Sequence, residues 1–493
     1  MQVNHAMRKR KHKQKQFLVI LMGTCLLTWS CQKQSGPISL AESAVAVLGS
    51  ENPPSTQGQA VETKNETARP PFHGPVSGIV LNSQENLPIQ NATIFHNGEA
   101  VRSDAEGHFT LEKADVKQPV FVKASGYRQT SVPVPTEAKL KVELKPFDAK
   151  GLYLTHFGVS SKLLRNRVLG LIKETDLNAL VVDVKGDRGL LSYKYDVPLA
   201  SQDGALKLTT IKDVQAFIRD LHQQDIYVIG RIVVFKDNIL ANYKPEWAIF
   251  DTRTKKPWTD NEDLAWVDPT RKEVWDYNIA IAKEAAKAGF DEIQFDYVRF
   301  PTDGRLSAAK YSQPNTMETR VKTIDTFLET AYRALLPYNV YFSADVFGYT
   351  PWNYNDTDIG QKIEHVAKHL DYICLMVYPS GYHLGIPGYR MPVGHPREVV
   401  YNTLEKAKKR LDGQSKKLRP WLQNFRDYAF DRRSYTGTEI KQQIQACEEA
   451  KTSGWLLWDP TNKYFYTADA MKALKSGTDQ LAIKAHKREE VSQ

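Results

Sequence analysis

The sequence predicts a (β/α)8 barrel preceded by a small antiparallel β-sandwich. Three observations carry this. Eight apolar strands alternate with amphipathic helical runs over about 325 residues from Gly151 onward, the count and size of such a barrel. Short alternating runs separated by turn signals fill about 75 residues before it. On most barrel strands one alternate set of residues turns polar or aromatic towards the carboxyl end, where barrels of this class place their sites.

At 493 residues the chain has room for more than one domain. Its net charge of +9 is unevenly spread. Six basic residues and no acidic ones lie in the first 16 positions, so later residues carry only +3. That is no electrostatic footprint for nucleic acid, and none is expected as a partner. The basic run leads into "FLVILMGTCLLTW" (17–29), the n-region and h-region of an export signal, too short for a transmembrane helix. It ends in Ser30-Cys31 and resembles a lipoprotein signal. That resemblance implies lipidation of Cys31, a membrane anchor and an exported location, the outer membrane if the source has one. A plain secreted chain or an uncleaved anchor are the alternatives. Residues 32–72, with "ENPPSTQGQAVETKNETARPP", read as a disordered tether.

Residues 73–147 form the sandwich segment, with strands expected at Val76–Leu81, Ala92–His96, His108–Leu111, Val120–Ala124 and Leu140–Leu144. Asn97-Gly98 and Glu106-Gly107 supply turns. "SGIV", "PIQNATI", "SDAEGHF" and "KASGY", in that order, resemble the carboxypeptidase regulatory-like, transthyretin-like domain. No cluster of ionisable groups suited to chemistry lies here, so a spacer or accessory role is expected, with carbohydrate binding the alternative.

The barrel is placed at 148–477, followed by a basic and polar tail, 478–493. Its strands are "GLYLT", "ALVVDVK", "YVIGRIVVF", "EIQFDYVRF", "YFSADVFGY", "YICLMVYP", "RPWLQNF" and "GWLLWD". Helical runs include 274–288, 318–336, 359–369, 397–410 and 437–451. A doubly wound open sheet fits less well, because no glycine-rich phosphate loop follows a strand. Strand alternation sets an inward face. It holds Val181, Asp183 and Lys185 on the second strand, and Ile229, Arg231 and Val233 on the third. Gln294 and Asp296 follow on the fourth, Ser343 and Asp345 on the fifth, and Met376 and Tyr378 on the sixth. Trp421 and Gln423 come from the seventh, and Leu457 and Asp459 from the eighth. The same charges could form a self-satisfied ion-pair network, with Asp183 and Lys185 as one pair.

Several chemistries are set aside. His156 stands alone in "LTHFG", without the H-x-H of barrel metal hydrolases. His365 and His369 are spaced i, i+4 without H-E-x-x-H, and no G-x-S-x-G occurs. Cys374 and Cys447 read as buried packing thiols. No metal or cofactor is expected. What remains is carboxylates among aromatics: Trp247, Trp258, Trp266, Tyr297, Tyr349, Trp352, Tyr354, Tyr378, Tyr382, Trp421 and Trp458. Aromatic faces stack on sugar rings, and two carboxyl groups flanking one bond are what glycoside hydrolysis needs. Asp296 would then end its strand because the reaction centre lies above it.

"GLYLTHFGVSS", "LNALVVDVKGDRG", "YVIGRIVVFKD", "AWVDPT", "FDEIQFDYVRFP", "ADVFGY", "YICLMVYPSGY" and "GWLLWDP" resemble, in order, a bacterial glycoside hydrolase-like domain long catalogued as a domain of unknown function. That family looks related to α-galactosidase and α-amylase-like barrels. The resemblance implies a nucleophilic aspartate at the end of the fourth strand, where Asp296 falls, and a general acid from the fifth or sixth. Asp345 ends the fifth here, while the sixth ends in Tyr378. The expected substrate is an envelope or extracellular polysaccharide. Asp183, Lys185, Arg231, Arg299, Tyr378, Gln423, Trp458 and Asp459 are expected to bind it. A non-catalytic carbohydrate-binding or envelope-assembly lipoprotein on the same scaffold is the competing reading.

Overall fold

The computed structural model describes residues 74–135 and 139–476. The signal with Cys31, the tether and the basic tail lie outside the described residues. Among the described ones no helix is long and apolar enough to cross a membrane.

The N-terminal segment is a two-sheet sandwich. Strands His108–Leu111, Val76–Asn82 and Lys139–Leu144 form one sheet. Glu99–Arg102, Thr93–His96, Val120–Lys123 and Thr130–Val132 form the other. Both inner faces feed one core that includes Val80, Ile94, Phe109, Val122 and Val142. Asn97 (φ 46°) and Gly98 (φ 82°) make the left-handed two-residue hairpin turn that their dipeptide favours. One pairing departs from the antiparallel expectation: Val76–Asn82 runs parallel to Lys139–Leu144. The two are joined by a long crossover through both sheets rather than by a hairpin, which leaves a parallel pairing open.

The second unit is a closed, all-parallel barrel. Its strands are Ala149–Leu154, Ala179–Lys185, Tyr227–Val233, Glu292–Asp296, Tyr341–Phe347, Tyr372–Met376, Trp421–Gln423 and Gly454–Trp458. Closure joins the eighth to the first, with Gly454 paired to Ala149. A Cβ at Gly454 would collide with the Ala149 carbonyl, and its φ is +82°, so the seam requires glycine there. Helices pack outside. On Lys272–Ala288 the buried residues Val274, Asn278, Ile281, Ala282 and Ala285 recur at helical spacing and form the inward stripe. Gly437–Glu449 opens on a capping box between Thr436 and Glu439. The helix expected over 359–369 is shorter, Ile363–Val366 followed by a 3-10 turn. Thr357, Asp358 and Gly360 take left-handed φ of 56°, 58° and 85°, which breaks any earlier start.

The barrel interior is layered. At its amino end Glu292 and Arg419 form a fully buried ion pair. Tyr227 Oη (2.9 Å) and Ser343 Oγ (2.6 Å) donate to Glu292, and Tyr372 lies 3.5 Å under the guanidinium. Sequence reasoning missed this pair. The sandwich covers the same end. Lys123 Nζ, at the end of the Val120–Lys123 strand, donates at 2.6 Å to both Asp371 Oδ2 and the Val340 carbonyl. Tyr341 Oη donates to the carbonyls of Ala124 (2.9 Å) and Tyr127 (2.7 Å). The carboxyl ends of the strands are left for chemistry.

Candidate active site

Four charged side chains meet at the carboxyl end. Arg231, from the third strand, pairs in register with Asp183 of the second and Gln294 of the fourth. Its Nη1 donates to Asp183 Oδ1 at 2.6 Å. Its Nε and Nη2 both donate to Asp296 Oδ2, at 3.1 and 2.5 Å. Asp345, two residues before the end of the fifth strand, lies 3.8 Å from Arg231 Nε. All four are almost wholly buried. Arg231 therefore holds two carboxylates tightly and a third loosely.

Asp345 accepts a hydrogen bond from Trp421 Nε1 at 2.7 Å. Burial, first, and the Asp296 charge, second, push Asp345 well above the ordinary carboxylate range, with Arg231 and the Trp421 N–H opposing. Burial also raises Asp183, against the pull of Arg231. Asp183 Oδ2 accepts from Tyr153 Oη (2.7 Å) and the His156 backbone N–H (3.0 Å).

Asp296 Oδ1 accepts the Tyr297 backbone N–H at 2.6 Å. Tyr297 has φ +51°, a left-handed conformation costly for a bulky aromatic residue. The strained turn is where the fourth strand ends, and it aims that amide at the carboxylate.

Aromatic rings line one wall. Trp458 stacks on Tyr153 at 4.1 Å and meets Trp421 edge-on at 5.3 Å. Arg231 lies 5.1 Å from the Trp458 ring. Trp458 and Tyr378 are half-buried, and burial foremost raises the Tyr378 phenol. Trp258, Trp266, Tyr382 and Trp421 are buried packing residues rather than open platforms. Sequence reasoning passed over Tyr153, although alternation from Gly151 places it on the inward face.

Several expected site residues face elsewhere. A β-bulge on the second strand pairs Asp183 with Arg231 but Lys185 with Ile232, which turns Lys185 outward. There it donates to Asp237 Oδ2 (2.8 Å) and Asn278 Oδ1 (2.6 Å), between barrel and helices. Lys185 therefore pairs with Asp237, not Asp183. On the eighth strand the inward residues are Leu456 and Trp458, and Leu457 packs in the outer core. Asp459 caps its own loop, accepting from Thr461 N and Oγ1, Lys463 N and Tyr464 N. Gln423 is fully buried, and its amide bonds Ser380 and the Phe425 carbonyl, tying two loops together.

Among the described residues no group of three or more His, Cys, Asp or Glu is arranged to hold a metal. His156 bonds Ser192 Oγ (3.1 Å) and the Leu208 carbonyl (3.0 Å). His365 and His369 both face Asp325. Cys374 and Cys447 are buried free thiols, and Cys374 accepts from Gln294 Nε2 at 3.1 Å.

Comparison with known proteins gives a family. The family model described as "Putative glycosyl hydrolase domain" matches residues 151–464. A search of curated proteins finds no match. Among solved structures the chain is similar to a hypothetical protein from Ruminiclostridium thermocellum ATCC 27405, at 39% identity over 40% of this chain and 97% of that one, TM-score 0.34. It is also similar to the PgaB (BpsB) glycoside hydrolase domain from Bordetella bronchiseptica, at 14% identity over 66% and 99%, TM-score 0.44. A beta-galactosidase from the psychrophilic Marinomonas ef1 matches at 11% identity over 69% and 60%, TM-score 0.50, a likeness of fold.

Proposed function

The chain belongs to that glycosyl hydrolase domain family, and from this premise we propose that it is a retaining glycosidase acting on an envelope or extracellular polysaccharide. One observation carries the reading. Asp345 is buried against Asp296 and pushed towards its protonated form, while Arg231 grips Asp296. A proton donor and the carboxyl that Arg231 binds thus sit near the ends of adjacent strands. Retention, the more closely spaced of the two geometries with the carboxyls about 5–5.5 Å apart, is the outcome proposed for a pair on neighbouring strands.

Asp296 is the nucleophile. Its Oδ1 carries only the Tyr297 N–H and is the freer oxygen. It forms a bond to the anomeric carbon as the glycosidic C–O bond breaks. The Asp345 proton passes to the leaving oxygen. Asp345, now ionised, takes a proton from water, whose oxygen attacks the anomeric carbon and releases Asp296. Asp183 and Tyr153 fix Arg231, and Tyr378 and Trp458 offer a hydroxyl and a ring face to the sugar.

The competing reading, a carbohydrate binder without catalysis, has one observation in its favour: Arg231 bonds Asp183 and Asp296 at once, the pattern of a satisfied network. Measuring reducing ends released from an array of bacterial polysaccharides decides between them. Binding without cleavage on every glycan would sink the enzyme reading.

We propose too that Cys31 is lipidated and that the tether holds the folded part away from a membrane. The support is the basic and apolar run ending in Ser30-Cys31. The sandwich, on the motif order noted above, is proposed to be a carboxypeptidase regulatory-like accessory domain.

A further inference from the structure

Arg231 and Arg299 both lie at the barrel mouth, and the fold treats them differently. Arg231 spends its donors on two carboxylates. Arg299 follows Asp296 by three residues and is 8% exposed, yet it makes no ion pair among the described residues. Its Nη1 donates to the Phe300 carbonyl at 3.1 Å and grazes Thr302 Oγ1 at 3.5 Å. Nε and Nη2 have no protein partner. Unlike Arg271 Nε or Arg419 Nη2, neither is sealed from solvent.

Aromatic rings hold the guanidinium instead. Its carbon lies 4.9 Å from the Tyr297 ring, 5.1 Å from Trp266 and 4.8 Å from Phe347. Tyr297 is next to Asp296, and Phe347 extends the inward face of the fifth strand two residues beyond Asp345. The free edge of Arg299 is therefore at the rim of the same cleft. Asp303 lies nearby and acts on Arg299 through its charge but makes no ion pair with it, and Asp296 is bound by Arg231. Asp260 bonds Trp266 Nε1 (2.9 Å) and pairs with Lys236 (2.9 Å). Lys236 also pairs with Glu262 at 2.7 Å, so it is not free to help.

A desolvated guanidinium without a counter-ion is costly, and an arriving anion recovers that cost. A planar Nε/Nη2 edge matches the two oxygens of a carboxylate. One uncommitted positive charge suits a monoanion better than a phosphate dianion. Building on the glycosidase reading of this cleft, we infer that Arg299 is a specificity residue that recognises a carboxylate borne on the sugar chain, so that the substrate is an acidic polysaccharide. The carboxylate could belong to a uronic acid or to the lactyl ether of a muramic acid.

The test is calorimetric binding to the full chain of oligogalacturonate, oligomannuronate and muramic acid-containing disaccharide fragments, each beside its carboxyl-reduced counterpart. One acidic probe should bind about tenfold or more tightly than its reduced form, the scale of one hydrogen bond to a charged group. The probe that shows the preference identifies the carboxylate's source. Arg299→Gln should erase the preference, bringing the acidic and reduced forms to equal affinity, and Arg299→Lys should keep part of it. Equal binding of acidic and reduced forms by the wild-type protein, or no binding of any acidic probe, overturns the inference without need of a variant. So does a preference that persists in a folded Arg299→Gln protein, with folding checked by near-UV circular dichroism. Carboxylate preference without release of reducing ends would leave this inference standing and remove the glycosidase. Cleavage of a neutral glycan at rates untouched by Arg299→Gln would do the reverse.

Discussion

Asp345 and Asp296 lie near the ends of neighbouring strands, and Arg231 reaches them unequally, at 2.5 Å from Asp296 and 3.8 Å from Asp345. The inequality divides the labour. The nearer carboxylate takes two of the guanidinium's donors, and the farther one, buried, is pushed towards its protonated form.

Asp296→Asn keeps shape and hydrogen-bonding capacity but removes the attacking charge. It should bind saccharide and lose nearly all turnover. Asp345→Asn should slow substrates with poor leaving groups by about 10²–10⁴-fold, the usual contribution of a general acid. Activated aryl glycosides should be slowed far less. Near-normal turnover by Asp296→Asn, or equal slowing of both substrate types by Asp345→Asn, would send the assignment to other carboxylates.

The raised Asp345 pKa fixes the sign of a pH effect. The folded state keeps this proton above about pH 3.9, where the unfolded chain gives it up. Folded protein thus binds more protons in that window, and stability falls as pH rises through it. Asp345→Asn should remove this part of the slope and gain stability at neutral pH relative to wild type. Denaturant titrations of both proteins between pH 4 and 8 measure it. In wild type, kcat/KM should also decline on the alkaline side as Asp345 ionises. A steeper slope in the variant would contradict the assignment.

Removing Arg231 strands two buried carboxylates. Arg231→Met should cost about 3–5 kcal/mol in chemical denaturation, as for other buried pairs that lose one partner. Adding Asp183→Asn should restore part of it. If the single variant is as stable as wild type, the network is not the buried one described.

Lys123 ties the sandwich to the base of the barrel through Asp371, both more than nine-tenths buried. Lys123→Met should destabilise by a similar margin and speed proteolysis between the two units. A chain shortened to residues 148–477 should still unfold in one transition, at a lower temperature than the whole chain. Absence of any thermal transition would show that the barrel needs its cover to fold.

For the anchor, mass spectrometry of the N-terminal peptide should find Cys31 first and carrying a diacylglyceryl thioether. An unmodified peptide starting elsewhere would discard it.

What the sequence determined by itself was periodicity. Alternation at two residues placed Asp183, Arg231, Asp296 and Asp345 on inward faces near strand ends, because side-chain direction in a strand is a local property. Asn97-Gly98 specified its turn for the same local reason. What only the tertiary structure decided was who faces whom. One bulge turned Lys185 from the barrel interior to Asn278, 93 residues away. The eighth strand's phase put Trp458 inside and left Asp459 to cap its own loop. Glu292 found Arg419 across 127 residues. Arg231 has its donors taken and Arg299 has an edge left open, though both are arginines beside strand ends. Such differences come from the register of a closed sheet and from which polar groups reach partners first. These are long-range relations, and no short stretch of chain contains them.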